Sequence, residues 1–112
     1  MSKVIKRNGS EVDFDREKIV TAISKANAEV EATYQIDAAA INYIADSVTF
    51  YAQNSLESIH IETIQDKVET LLMREGPEVA KCYIQYRYKH KLLREFNTTD
   101  KSIKELIDGD ND

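Results

Sequence analysis

A single cysteine, Cys82, excludes an internal disulfide and a zinc site built on cysteines. Its place between Lys81 and Tyr83 on a helical stretch reads as a small packing residue. Tryptophan is missing, proline occurs once and glycine three times in 112 residues, so the chain has few built-in breaks. No apolar run approaches the roughly 18 residues of a membrane-spanning helix, and the start of the chain lacks the apolar stretch of a signal peptide. The only histidines, His60 and His90, lie far apart with no acidic partner at ligand spacing, which argues against a metal site. A cytoplasmic protein without membrane association is the expectation.

Basic charge is also scarce. Lys and Arg number 15 against 20 Asp and Glu, and the net charge of −5 argues against a general nucleic-acid binder. The distribution says more than the total. Residues 81–94 carry Lys81, Arg87, Lys89, Lys91 and Arg94 and no acid, whereas residues 26–70 carry eight acids and one base, Lys67. Positive charge is therefore gathered near the start and in the last helical stretch, the local concentration that a compact anion pocket needs. With 42% hydrophobic and 31% charged residues, the rest is ordinary for one soluble globular domain.

The stretch Val4 to Ile19 is the most informative. Asn8-Gly9 sits between two short runs rich in β-branched residues, a strong local signal for a tight hairpin, with strands over residues 3–7 and 10–14. Asp15 reads as the N-cap of a helix running to Glu31, with Ile19, Val20, Ile23, Ala26 and Val30 on one face. A hairpin folded back on this helix start would bring Lys6, Arg7 and Lys18 together beside free N–H groups and the positive end of the helix dipole. That is a phosphate-binding arrangement, although not a P-loop, because no G-x-x-x-x-G-K-[ST] run is present. The alternative is a surface hairpin with solvated cations.

Further along, the periodicity predicts a second helix over residues 37–53, capped by Asp37, with Ile41, Ile44, Ala45, Val48 and Tyr51 on its inner stripe. A third covers residues 61–74 with Ile61, Ile64, Val68, Leu71 and Leu72 inward. Gly76-Pro77 breaks the chain, and Pro77 opens a fourth helix to about Phe96, with Ala80, Tyr83, Ile84, Arg87 and Lys91 near one face. Tyr83, Tyr86 and Tyr88 read as helix-packing aromatics. Residues 97–112 turn polar and acidic and read as a linker with at most one short helix.

The run Val4-x-Lys6-Arg7-x-Gly9-x-x-x-x-Phe14-Asp15-x-x-Lys18-Ile19 resembles the opening signature of the ATP-cone, the regulatory nucleotide-binding domain of ribonucleotide reductases. Ile64-Gln65-x-x-Val68-Glu69-x-x-Leu72 resembles the family's third helix, and Val79-Ala80-Lys81-x-Tyr83-Ile84-x-Tyr86-Arg87 its last. The resemblance implies an α+β, mostly α fold: a four-helix cone over residues 1–96, capped by a small β-hairpin or a three-stranded sheet that Ser58-Ile59-His60 would complete. Residues 99–109 resemble the segment that joins the cone to the catalytic barrel of anaerobic, glycyl-radical ribonucleoside-triphosphate reductases, so 97–112 would lead toward a catalytic domain.

The function so implied is allosteric: ATP, with Mg2+, keeps the parent enzyme active and dATP shuts it down, and this stretch carries no catalytic residues of its own. The partners implied are adenine nucleotides, the parent's catalytic domain and further copies of the enzyme. The nucleotide-binding set carried over is Val4, Lys6, Arg7, Asn8, Gly9, Asp15, Lys18, Gln65, Arg87, Lys89 and Lys91. Lys6, Arg7 and Lys18 match the phosphate contacts. Asp15 matches an adenine contact that is often Asn, and it serves equally as an N-cap. Lys89 best matches a basic residue of the last helix that reaches the nucleotide, with Arg87 and Lys91 as alternatives. Gln65 stands at a polar phosphate contact or on an exposed helix face. Two other readings are a nucleotide-sensing transcriptional repressor of reductase genes and a cone that has lost its nucleotide and only pairs with a partner. The repressor carries four zinc-binding cysteines ahead of its cone, where this sequence has one cysteine in all and starts its cone at residue 3.

Overall fold

In the computed structural model, which describes residues 2–97, the chain opens on a hairpin that turns at Gly9. Strand β1 (Lys3–Ile5) pairs antiparallel with β2 (Glu11–Asp13), Val4 facing Val12. Between them the Lys6 carbonyl accepts from the Gly9 N–H at 2.9 Å, and the Lys6 N–H donates to the Ser10 carbonyl at 2.8 Å. Gly9 has φ +90°, and no non-glycine residue described has a positive φ. The connection is thus a three-residue loop closed by a glycine bulge, not the two-residue Asn-Gly turn that the sequence predicts. Asn8 instead accepts with its Oδ1 from the N–H and hydroxyl of Ser10, at 3.0 and 2.7 Å. Lys6 therefore closes the loop by pairing with Ser10, Arg7 lies within it, and both strands are shorter than expected. Strand β3 (Ile59–His60) adds parallel to β1 on its other edge, giving the order β2-β1-β3.

Helix α1 (Arg16–Ala28) is capped by Asp15, which accepts from the Glu17 N–H at 3.0 Å. It stops three residues before the expected Glu31. The amide of Asn27 clamps the following connection by bonding both the N–H (2.9 Å) and the carbonyl (3.0 Å) of Ile36. Asp37 caps α2 (Ala38–Gln53) through the Ala40 N–H at 2.9 Å. His60 caps α3 (Ile61–Glu75) with its Nδ1 on the Glu62 N–H at 3.1 Å. Helix α4 (Pro77–Asn97) completes a ring in which α1 and α3 each pack on α2 and α4. The fold is therefore mostly helical, with the small sheet seated at one end. The expected linker beyond Asn97 lies outside the described residues.

The core is the sum of the inner stripes: Ile23 of α1, Ile44 and Val48 of α2, Val68 and Leu72 of α3 and Val79 of α4 are essentially inaccessible. Tyr51, expected on the inner stripe of α2, is 36% exposed instead. Its ring lies 4.3 Å from Lys67 Nζ across the groove to α3, a cation–π contact that suits the rim better than the core. Among the described residues no helix is long and apolar enough to cross a membrane.

Gly76 ends α3, its N–H bonding the Leu72 carbonyl at 2.7 Å. Its φ of −161° is extended backbone open to any residue, so backbone conformation does not reserve this position for glycine. The requirement is space: a Cβ here would stand 2.5 Å from Ile36 Cγ2, on a residue that Asn27 holds in place. Gly76→Ala is expected to cost about 1–3 kcal/mol in urea denaturation, as overpacking does. A variant as stable as the parent would mean that Ile36 gives way freely.

Candidate functional site

The hairpin folds back onto the start of α1 and leaves a hollow of about 70 Å3 under the sheet, lined by Val4 and Lys6 of the hairpin and Asp15 and Lys18 of the helix start. Between α1, α3 and α4 lies a second hollow of about 260 Å3, lined by Lys18, Lys25, Gln65, Tyr83 and Tyr86. The two share Lys18, Ile19, Ile61 and Ile64, so they are compartments of one cleft with an apolar wall and cations at its mouth. That combination, apolar lining with a few convergent polar groups, is the usual make-up of a small-molecule site.

Lys6 and Lys18 meet at this cleft because the hairpin loop and the first turn of α1 face each other across it. Asp15 spends one carboxylate oxygen on the helix cap and still lines the hollow. Tyr83 is 6% exposed, and burial pushes its phenol pKa up, so it lines the second compartment as a neutral hydroxyl.

Arg7 goes elsewhere. Its Nε donates to Glu62 Oε2 at 3.0 Å and its Nη2 to Gln65 Oε1 at 2.6 Å. The same Glu62 accepts at Oε1 from Arg87 Nη2 at 2.5 Å, and Arg87 also pairs with Asp66 (2.9 Å) and Glu69. Hydrogen bonding from Arg87 is the main reason that the Glu62 carboxyl is held below the ordinary glutamate value. For Arg87, burial works against its charge, but bonds to the three carboxylates outweigh that and raise its pKa further. Arg7, Arg87 and Lys91 thus border a third hollow of about 180 Å3 on the outer side of α3 and α4. Lys89 is exposed on α4 and lines none of these three hollows, and Asn8 and Gly9 shape the loop.

The sequence reading missed the acidic face of α3. Glu62, Asp66 and Glu69 recur at helical spacing and could have been read as one stripe opposite a cation. It also missed Thr21 and Lys25, which follow Lys18 along the same face of α1 and line the second compartment.

Comparison with known proteins agrees with this architecture. Residues 2–92 match the family described as the ATP cone domain. An anaerobic ribonucleoside-triphosphate reductase of Haemophilus influenzae is 36% identical over 110 residues, which is 96% of this chain and 15% of the reductase. A vitamin B12-dependent ribonucleoside-diphosphate reductase of Thermoplasma acidophilum is 37% identical over 101 residues, 85% of this chain and 13% of that protein. The transcriptional repressor NrdR of Clostridium botulinum is 29% identical over 106 residues, 94% of this chain and 66% of the repressor. The chain thus spans a small part of either reductase. A hairpin-capped ring of four helices, with the family's match running over nearly all of the described residues, places the chain in the ATP-cone domain family.

Proposed function

We propose that this chain is an allosteric domain that binds ATP or dATP, with the Mg2+ that accompanies the triphosphate, and controls the overall activity of a cytoplasmic ribonucleotide reductase. ATP activates and dATP inhibits. The anaerobic ribonucleoside-triphosphate class is favoured by the relative whose similarity extends over 96% of this chain. The catalytic groups lie in the parent enzyme, which works as a homo-oligomer, and residues 97–112 lead toward its catalytic domain. The observation that carries the proposal is the pair Lys6 and Lys18 at the mouth of an apolar-walled cleft. In it the adenine lies under the hairpin, where Asp15 can accept from its amino group, and the phosphates meet the two lysines. Gln65 lines the same cleft and bonds Arg7, which gives a triphosphate tail a route from the two lysines toward Arg7 and the basic residues of α4, Arg87, Lys89 and Lys91.

Isothermal titration calorimetry tests it. The fragment should bind ATP and dATP with Mg2+, each displacing the other. Lys18→Ala, which removes the cation common to both compartments, should weaken binding about tenfold or more, the worth of one charge-assisted hydrogen bond. No heat with either nucleotide, or full affinity in Lys18→Ala and Lys6→Ala alike, would overturn the reading.

A further inference from the structure

Glu62 stands at a position that the proposed function does not use. Its two carboxylate oxygens engage two guanidiniums from different elements, Arg7 of the hairpin loop and Arg87 of α4. The contact with Arg7 falls on Nε, while Gln65 takes Nη2. Those two donors form one fork of the guanidinium, the edge on which phosphate binds with two parallel hydrogen bonds. A phosphate cannot take that fork while a carboxylate and an amide oxygen sit on it. We infer that Glu62 is an internal competitor for the nucleotide: it occupies the phosphate-binding edge of Arg7, and a nucleotide gains Arg7 only by displacing it.

The exchange is physically feasible because Glu62 need not be left unpaired. Its other oxygen remains on Arg87, and the side chain is only partly buried, with 42% of its surface exposed. The displaced carboxylate keeps one strong partner and gains water. The competition sets the affinity for the nucleotide without touching the base or the sugar, and it rests on the nucleotide-binding reading above. It also assigns a purpose to the asymmetry of the acidic face, since Asp66 and Glu69 bond Arg87, whereas Glu62 bonds both arginines.

The test compares three variants by calorimetry with ATP and Mg2+. Glu62→Gln keeps the side chain's size and removes the charge that holds Arg7, so it should bind ATP about tenfold tighter, the worth of one charged hydrogen bond that no longer has to be broken. Asp66→Asn removes the same charge one turn further along α3 but touches Arg87, not Arg7, so its affinity should stay within about twofold of the parent. Arg7→Ala combined with Glu62→Gln should show no gain over Arg7→Ala alone. Glu62→Ala, checked for folding by thermal melting, should repeat the direction of Glu62→Gln. Unchanged or weaker binding in both Glu62 variants overturns the inference while leaving nucleotide binding intact. Equal gains in Glu62→Gln and Asp66→Asn overturn it too, because they would report a general field and not a displaced ligand. A parent that binds no nucleotide removes the reading beneath it, which the parent titration alone reveals.

Discussion

Leu72→Ala is expected to lose about 3–5 kcal/mol of folding stability, the upper part of the range for large-to-small substitutions in cores that cannot collapse. Leu72 is wholly inaccessible, and it sits in the last full turn of α3, the helix packed between α2 and α4. Its carbonyl also accepts the Gly76 N–H that closes the helix, so the backbone around the lost side chain is pinned and cannot sink into the void. Domains of this size have about 5–15 kcal/mol in total, so the variant should be close to unfolding at physiological temperature. At roughly 4–8 °C per kcal/mol, the melting point should fall by about 12–40 °C. Leu56→Ala serves as the control, because Leu56 is fully exposed and its truncation should change little. A loss below about 1 kcal/mol at Leu72 would mean that the centre of the ring is not where the packing puts it.

The contrast between those two leucines marks what the sequence could and could not convey. Period-3.6 stripes placed Ile23, Ile44, Val48, Val68 and Leu72 inside because a helix has only one face to bury, and the structure buries all five. Asp15 and Asp37 were legible as caps for a local reason, an acceptor just ahead of free N–H groups. Tyr51 fitted the same stripe and lies at the rim, because spacing alone does not say how wide the buried face is. The two-residue strand β3 has little local pattern to announce it, and its pairing with β1 joins residues far apart in the chain, so it came more through family resemblance than through propensity. The direction of Arg7 was out of reach for the same reason. Its partner Glu62 is 55 residues away, and composition showed only that acids dominate that part of the chain. Lys6 and Lys18 are near one another in sequence and joined by a hairpin, so their meeting at one cleft could be argued from the hairpin's fold-back alone.

Arg87→Ala is the second large effect expected, and its size should depend on pH. The Arg87 side chain is 17% exposed and bonds Glu62, Asp66 and Glu69, which lie on one face of α3. Removing it leaves three neighbouring carboxylates with much less compensating charge. Breaking a fully buried pair costs about 3–5 kcal/mol and an exposed one under about 1; Glu69 is mostly buried and Asp66 mostly exposed, so about 2–3 kcal/mol at pH 7 is expected. In the parent, the Glu62 pKa is lowered in the fold, first by its hydrogen bond from Arg87. Its contribution is therefore fully present above the ordinary value of 4.5 and is lost only as the pH falls below that, through the folded pKa. The variant lacks the main cause of that lowering, so it has less to lose as the pH falls below 4.5, and acidification from pH 7 to 4 should close part of the gap between parent and variant. Urea denaturation of both at pH 7 and pH 4 gives the gap directly, and taking the difference cancels the titration of every group far from α3. The gap should narrow by about 1 kcal/mol at pH 4. Adding Asp66→Asn should narrow it at pH 7 as well, since one of the repelling charges is then gone. A gap that stays constant or widens on acidification would mean that these carboxylates do not depend on Arg87 for their charge.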